Sequence, residues 1–407
     1  MNIYLIAEKL SHSYSPLIHR KFNKYNYELK ELPKTQLKNY IYAKQFDGLN
    51  VTIPYKIDVM PYLDEISDEA IEIGSVNTIK NTNGHLCGYN TDLYGFEYLL
   101  VTNDIDFYDK NVLIIGNGGA SKTVQVACKK LNTKNYVVIS RKDNNIDTLS
   151  KYYNFDIIVN TTPVGMFPNN GVSPIDISKF QKCTTVIDLI YNPSKTQLIL
   201  DAEKYGIKAV NGLSMLVAQA KKACEIFTYE TSTESIIDSI TKELEIATKS
   251  IVLIGMPGCG KTTIGKLLSS ELKRPYFDTD EEISKSGVDI QNTIITAGES
   301  KFREIEHNIS SNVLSKSGCV ISTGGGIVTY EPNSDIIKQN SIVFFIDRDI
   351  EKLSIKNRPL SSGGISKLKE LYENRIEKYR KLADFTIDNN NEINTAIEQI
   401  IKILTER

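Results

Sequence analysis

Gly255-Met256-Pro257-Gly258-Cys259-Gly260-Lys261-Thr262 lies just past the middle of the chain. It fits the pattern G-x-x-x-x-G-K-[ST], in which backbone N–H groups of a glycine-rich turn surround phosphates, a lysine reaches the terminal ones and a hydroxyl ligates magnesium. Four apolar residues, Ile251 to Ile254, read as the buried strand that precedes it. Thr263-Ile264-Gly265-Lys266-Leu267-Leu268 opens a helix whose N-terminal dipole favours anions. With strand and helix in place, a chance glycine turn is the weaker reading. Such a loop normally begins its own domain, so roughly the first 245 residues form something else.

The 407 residues, 41% hydrophobic and 24% charged, describe an ordinary globular chain with room for two or three domains. A net charge of −2 and the absence of a long basic run argue against nucleic acid or an anionic membrane as partner. Apolar runs stop at about five residues against the roughly 20 of a membrane helix, and Met1 to Lys9 lacks a signal peptide's basic start. A cytoplasmic protein is expected. Cys87, Cys128, Cys183, Cys224, Cys259 and Cys319 show no C-x-x-C spacing, so neither a disulfide framework nor a zinc site is expected. The histidines at 12, 19, 85 and 307 show no ligand spacing either.

Short runs rich in Ile and Val alternate with helical stretches, which argues for α/β layers. Expected strands include Ile3 to Ala7, Leu49 to Ile53, Val112 to Ile115, Tyr136 to Ile139, Ile157 to Val159 and Val186 to Ile190. A polar stretch at Thr102 to Lys110 divides the first part. Leu213 to Phe227 carries a helical apolar stripe, and Thr228 to Ser250 reads as a terminal helix followed by a linker.

In the first part, Gly116-Asn117-Gly118-Gly119-Ala120-Ser121-Lys122 follows a strand and precedes a helix. Glycines there let the backbone turn tightly against a pyrophosphate on the helix N-terminus. The next strand ends in Ser140-Arg141-Lys142, and basic residues at that point suit the 2′-phosphate of NADP, although two solvated cations are the plainer alternative. Upstream, Lys56 follows a strand broken by Pro54, and Asp92 sits among turn formers. Across a cleft the two make an acid/base couple, but from spacing alone a surface salt bridge is the favoured reading.

Motifs in matching order identify the first 245 or so residues as resembling shikimate dehydrogenase. Ser11-His12-Ser13-Tyr14-Ser15-Pro16, Asn50-Val51-Thr52 to Lys56, Val76-Asn77-Thr78 and Asn90-Thr91-Asp92 carry the likeness. So do Asn160 to Met166, Asp188 to Pro193 and Asn211-Gly212-Leu213 to Gln219. The resemblance implies Ser13, Ser15, Thr52, Asn77, Asp92, Tyr191 and Gln219 as substrate ligands and Lys56 with Asp92 as the catalytic pair. Gly116, Gly118, Gly119, Ala120, Ser140, Arg141 and Gly212 would face NADP(H). It further implies a substrate domain at 1–105 completed by 211–245, and a Rossmann-like domain at 106–210. Ala7 and Ser140 depart from the family pattern, and only 18 residues separate Arg141 from Asn160, so part of a βα unit is expected to be missing.

In the second part, Asp278 and Asp280 stand at i and i+2, which at an extended strand end points both carboxylates to one side. Arg303, Arg358 and Arg375 are candidates for an anionic substrate and a transferring phosphoryl group. Asp278-Thr279-Asp280, Phe302-Arg303, Gly324-Gly325-Gly326, Arg358-Pro359-Leu360 and Arg375 with Tyr379 together resemble shikimate kinase over about Lys249 to Arg407. The resemblance implies a P-loop α/β/α domain at 246–407 of the nucleoside monophosphate kinase kind. Asp280, Arg303, Gly325 and Arg375 would hold shikimate, with Lys261 and Asp280 catalytic. Gly258, Cys259, Gly260, Lys261, Thr262, Thr263 and Arg358 would hold ATP, and Thr262 with Asp278 the Mg²⁺.

The product of one resembled activity is the substrate of the other. The expectation is therefore a bifunctional enzyme with small-molecule substrates, its oligomeric state open. A quinate-preferring, NAD-using dehydrogenase fused to another kinase, or an inactive nucleotide sensor, are the alternatives; Arg141 disfavours the former and the Lys56 and Asp92 couple the latter.

Overall fold

A computed structural model of the chain describes residues 1–10, 13–140, 146–354 and 364–406. Among the described residues the strands form three sheets. The first contains β1 (Asn2–Ala7), β2 (Asn26–Glu31), β3 (Gly48–Val51), β4 (Glu65–Ile66), β5 (Thr78–Thr82) and β6 (His85–Tyr89), in the order β2-β1-β3-β5-β6-β4. β1 runs parallel to β2 and β3, while β5 is antiparallel to both β3 and β6. β2 is an edge strand of alternating polar residues, so no apolar run announces it. β3 stops at Val51, two residues short of the expected end. The Thr52 N–H still bonds the carbonyl of Ile6 at 3.1 Å, but Pro54 has no N–H to continue the ladder.

The second sheet is all parallel: β7 (Asn111–Ile115), β8 (Asn135–Ile139), β9 (Ile157–Asn160), β10 (Thr185–Asp188) and β11 (Lys208–Asn211), ordered β11-β10-β9-β7-β8. Its strands are apolar at their centres, as in sheets that helices cover on both faces. Between β8 and β9 only a short 3₁₀ stretch, Ile146–Tyr152, is described where a full helix would normally lie. These two sheets belong to one compact unit, Met1–Val164 with Pro174–Tyr191 and Asp201–Lys242.

The other unit gathers Gly165–Ser173, Asn192–Leu200 and Glu243–Arg407. Its parallel sheet contains β12 (Ser250–Ile254), β13 (Tyr276–Asp278), β14 (Val320–Ser322), β15 (Ser341–Asp347) and β16 (Phe385–Asp388), ordered β13-β14-β12-β15-β16. β12 is buried along its whole length and delivers the phosphate loop at its C-terminal end, where open α/β sheets bind ligands. Within this unit the Ser194 N–H donates to Asn340 Oδ1 (3.2 Å), and the Lys195 N–H to the Gln339 carbonyl (2.8 Å). Asn340 Nδ2 in turn donates to Ser317 Oγ at 2.8 Å, and Ser317 Oγ to Asn192 Oδ1 at 3.3 Å.

Two expectations are corrected. The helix Ser235–Thr248 runs to within one residue of β12, so no linker follows it; Thr248 Oγ1 caps its own last turn by donating to the Leu244 carbonyl at 2.6 Å. Asp278 and Asp280 do not share a strand face. β13 ends at Asp278, whose carboxylate accepts the Asp280 N–H (3.0 Å) and so starts the helix Thr279–Lys285 that contains Asp280.

Candidate functional site

In the first unit Lys56 lies beyond β3 and Asp92 opens the helix Asp92–Thr102. Lys56 Nζ donates to Asp92 Oδ2 at 2.5 Å, with both side chains largely buried. Asp92 is held on every side. Its Oδ1 accepts from Asn77 Nδ2 (2.9 Å) and its backbone N–H donates to Asn90 Oδ1 (2.9 Å). Asn77 Oδ1 accepts the Thr91 N–H (2.9 Å), and Thr91 Oγ1 donates to Gln219 Oε1 (3.3 Å). The network continues through Thr78 and Asn50 to Tyr27, whose hydroxyl donates to Asn50 Oδ1 at 2.9 Å. His19 stacks on Tyr27 at 3.9 Å, and burial pushes its imidazole down to about 3, so it is a neutral wall of the cluster.

Gly95 explains how Gln219 comes within reach. A Cβ there would lie 2.6 Å from the Met215 carbonyl and 3.1 Å from Gln219 Cβ, so only glycine lets the helix Leu213–Thr228 press against Asp92–Thr102. The sequence reading had not singled out this position. Ser15 begins the helix Ser15–Phe22 with its N–H on Ser13 Oγ (3.2 Å), and Tyr14 lies 5.2 Å from Tyr191, ring to ring. Burial raises the Tyr191 hydroxyl to about 12, so it stays a protonated donor. Thr52 is half-buried between Val51 and the turn that carries Lys56.

The glycine turn after β7 starts with Gly116 at φ +110°, a left-handed backbone, and a Cβ there would strike Thr161 Oγ1 at 2.6 Å. The helix Gly119–Lys130 opens with no side chain capping its N–H groups. Gly118 faces open space, while the nearest atom to a Cβ on Gly119 would be Lys56 Cδ, 3.8 Å away. An uncapped helix N-terminus with an open approach, bordered by the lysine, fits a dinucleotide pyrophosphate. Ala120 continues that first turn and Ser140 directly follows β8. Gly212 packs so tightly that a Cβ would come within 2.2 Å of the Leu189 carbonyl. Arg141 and Lys142 lie outside the described residues, as do Ser11, His12 and Arg358.

In the second unit Gly255, Gly258 and Gly260 all take positive φ (146°, 85° and 107°), which curls the loop around a space for phosphate. Lys261 Nζ donates to the Gly255 and Met256 carbonyls at 2.8 and 2.9 Å, and lies 3.8 Å from Cys259 Sγ. Asn389 Nδ2 props the loop from beneath by donating to the Cys259 carbonyl at 2.6 Å, a role no local pattern announces. Thr262 Oγ1 donates to Asp278 Oδ2 (3.0 Å), and Thr263 follows it on the exposed face of the helix Lys261–Leu272. A hydroxyl and a carboxylate oxygen converge here, the hard-oxygen chemistry that Mg²⁺ takes.

Beside the loop, Arg303 donates to Glu306 Oε2 (2.7 Å) and Glu299 Oε1 (2.8 Å), with Arg303 and Glu306 almost fully buried. Burial pulls the guanidinium down, and the two glutamates more than offset it; burial pushes the Glu306 carboxyl up against the pull of Arg303. Gly326 lies flat against Arg303, where a Cβ would meet Nη2 at 2.1 Å, and a Cβ on Gly324 would meet Asp280 Oδ1 at 2.5 Å. The Gly325 carbonyl accepts from Arg375 (3.2 Å) and from the Tyr379 hydroxyl (2.5 Å). Asp280, Arg303, Gly325 and Arg375 thus fall in one cluster, and Glu306 is the partner that sequence reading missed.

A dinucleotide loop beside a lysine–aspartate pair defines a dehydrogenase, and a P-loop beside an acid and arginine cluster defines a small-molecule kinase. Comparison with known proteins makes this specific. Residues 5–79 match the family model for the shikimate dehydrogenase substrate binding domain, and residues 257–405 match that for shikimate kinase. The NADP⁺ shikimate dehydrogenase of Methanococcus maripaludis is 41% identical over 253 residues, covering 55% of this chain and 90% of that protein. The crystal structure of a chorismate mutase/shikimate 5-dehydrogenase fusion protein from Clostridium acetobutylicum aligns at 38% identity and a TM-score of 0.57, covering 60% of this chain and 97% of that one. Shikimate 5-dehydrogenase from Thermus thermophilus, solved with NADP(H) and shikimate, aligns at 27% identity and a TM-score of 0.55, covering 60% and 99%. The chain belongs to the shikimate dehydrogenase family and carries a shikimate kinase domain in its C-terminal part. It is an enzyme of the shikimate pathway. No described helix is long and apolar enough to cross a membrane.

Proposed function

We propose that one chain performs two consecutive steps, reduction of 3-dehydroshikimate to shikimate and ATP-dependent phosphorylation of shikimate at its 3-hydroxyl. The observation that carries the first step is the 2.5 Å bond between Lys56 and an Asp92 that Asn77 and Asn90 immobilise. NADPH, held at Gly116, Gly118, Gly119 and Ala120 with Ser140, Arg141 and Gly212, supplies the hydride when bound. Lys56 Nζ gives the carbonyl oxygen its proton, and Asp92 keeps the ammonium oriented and stabilises it. Ser13, Ser15, Thr52, Asn77, Tyr191 and Gln219 hold the substrate, Asn77 doing so from a position already fixed by Thr91 and Asp92.

In the second step Asp280 positions the attacking hydroxyl, while Arg303, Arg375 and Gly325 hold the ring and its carboxylate. Lys261 neutralises charge that develops on the transferring group. Thr262 and Asp278 hold Mg²⁺, which offsets phosphate charge when bound. Residues 1–105 with 211–245, 106–210 and 246–407 serve as substrate, NADP and kinase regions, in a cytoplasmic protein.

The test is to mix purified protein with shikimate and NADP⁺ or NAD⁺ and follow reduced nicotinamide by absorbance, then add ATP and Mg²⁺ and weigh the product. Faster reduction of NADP⁺ together with shikimate 3-phosphate is the expected result. Phosphate transfer without nicotinamide reduction would remove the dehydrogenase half of the proposal.

A further inference from the structure

We infer that Glu65, His85 and Cys87 form a binding site for a zinc-class divalent cation at the edge of the first sheet. Topology assembles it. His85 and Cys87 are two residues apart on β6, so they project to the same face, and β4 pairs parallel to β6 with Glu65 directly opposite Cys87. His85 Nε2 lies 3.5 Å from Glu65 Oε2, Cys87 Sγ lies 3.7 Å from the same oxygen, and all three donor atoms fall within 4.8 Å of one another. Ligands around a tetrahedral Zn²⁺, bonded at about 2.0 Å through N or O and about 2.3 Å through S, stand about 3.3 to 3.8 Å apart. Two of the tetrahedron's edges therefore have the right length before any ion arrives. A solvent water completes the four, since Glu65 and His85 are exposed.

The surroundings point the same way. The other imidazole nitrogen, His85 Nδ1, faces Asp64 Oδ2 at 4.0 Å. That carboxylate is anchored by the Leu86 N–H at 2.8 Å and by Lys44 Nζ at 3.4 Å. A carboxylate hydrogen-bonded to the distal nitrogen would fix the tautomer of a metal-bound imidazole and raise its basicity; at 4.0 Å Asp64 would have to close on the ring to do so. Among the described residues Glu65 pairs with no lysine or arginine; its partners are His85 and Cys87, the two other ligands of the site. A thiolate, an imidazole and one carboxylate select a borderline-soft ion over Mg²⁺ or Ca²⁺, which want oxygen alone. The bound ion would tie β4, only two residues long, to β6.

Neither the dehydrogenase nor the kinase cluster contains any of these residues, so the site is testable apart from both activities. Co²⁺ serves as the spectroscopic probe of the full-length protein after chelation. One equivalent is expected to produce a thiolate-to-cobalt charge-transfer band with the visible bands of a tetrahedral ion, displaced by Zn²⁺. Cys87→Ser should remove the charge-transfer band, and His85→Asn should weaken binding at least tenfold, while circular dichroism confirms that both variants fold. Zn²⁺ should raise the Tm of the wild type and not that of Cys87→Ser. Absence of the band at one equivalent, or its persistence in Cys87→Ser, would overturn the assignment.

Discussion

Lys56 and Lys261 are both largely buried cations, but a carboxylate holds the first and backbone carbonyls hold the second. The Lys56 charge is compensated in the resting protein by Asp92, as the proposed proton transfer to a substrate oxygen requires. Among the described residues no carboxylate pairs with Lys261. Its partners are neutral dipoles, so its whole charge is available to an incoming phosphate. One cation rests against a charge and the other against dipoles.

Variants can break this contrast. The largest effect is expected from Lys261→Ala, which should lower kinase turnover by about 10³-fold, as loss of a principal transition-state donor does, and leave dehydrogenase rates alone. Coupled ADP release and nicotinamide absorbance on one sample would show it; loss of both activities would mean that the loop also supports the dehydrogenase. Lys56→Ala should reverse the pattern, with dehydrogenase kcat falling about 10²- to 10⁴-fold while KM moves less than about tenfold. Near-normal turnover would remove the proton-transfer role.

Arg303→Ala sharpens the comparison by stranding a carboxylate. Removing one member of a buried pair costs about 3 to 5 kcal/mol, read as an earlier unfolding transition in urea. The sign with pH is fixed. Burial holds Glu306 above its ordinary value of 4.5, so its ionised form burdens the fold at neutral pH and is relieved as pH falls through the raised value. The gap between wild type and variant should therefore be widest at neutral pH and narrow on acidification. The smallest effect is expected from Gly95→Ala, where overpacking against Met215 costs about 1 to 3 kcal/mol. Moving Gln219 should raise the KM for shikimate more than it lowers kcat.

The phosphate loop was legible because everything it needs is local: an apolar strand, glycines, a lysine and a helix in immediate succession. The glycine turn at 116–119 was legible for the same reason. Lys56 and Asp92 were legible through resemblance, since spacing alone favoured a surface ion pair. Gly95 and Asn389 were not, because each acts on a residue from a different segment and nothing beside them in the chain names the partner; Glu306 stands at i, i+3 from Arg303 on one helix, a spacing too common on helices to mark a buried pair. The acidic pair at 278 and 280 was misread geometrically, because the first carboxylate caps the helix that carries the second. Glu65, His85 and Cys87 escaped for a further reason: i, i+2 spacing means little until a neighbouring strand supplies the third donor.

The compact unit that contains the kinase sheet also includes Gly165–Ser173 and Asn192–Leu200, contributed from upstream. A genetic cut at the obvious junction would therefore not release a finished kinase. It would strip away the segment whose Ser194 and Lys195 N–H groups satisfy Asn340 and the Gln339 carbonyl, both buried in the intact unit. The fragment would have to rehydrate that edge, and should come out less soluble and less heat-resistant than its parent. Such a dependence makes the upstream segments part of the kinase unit's own fold.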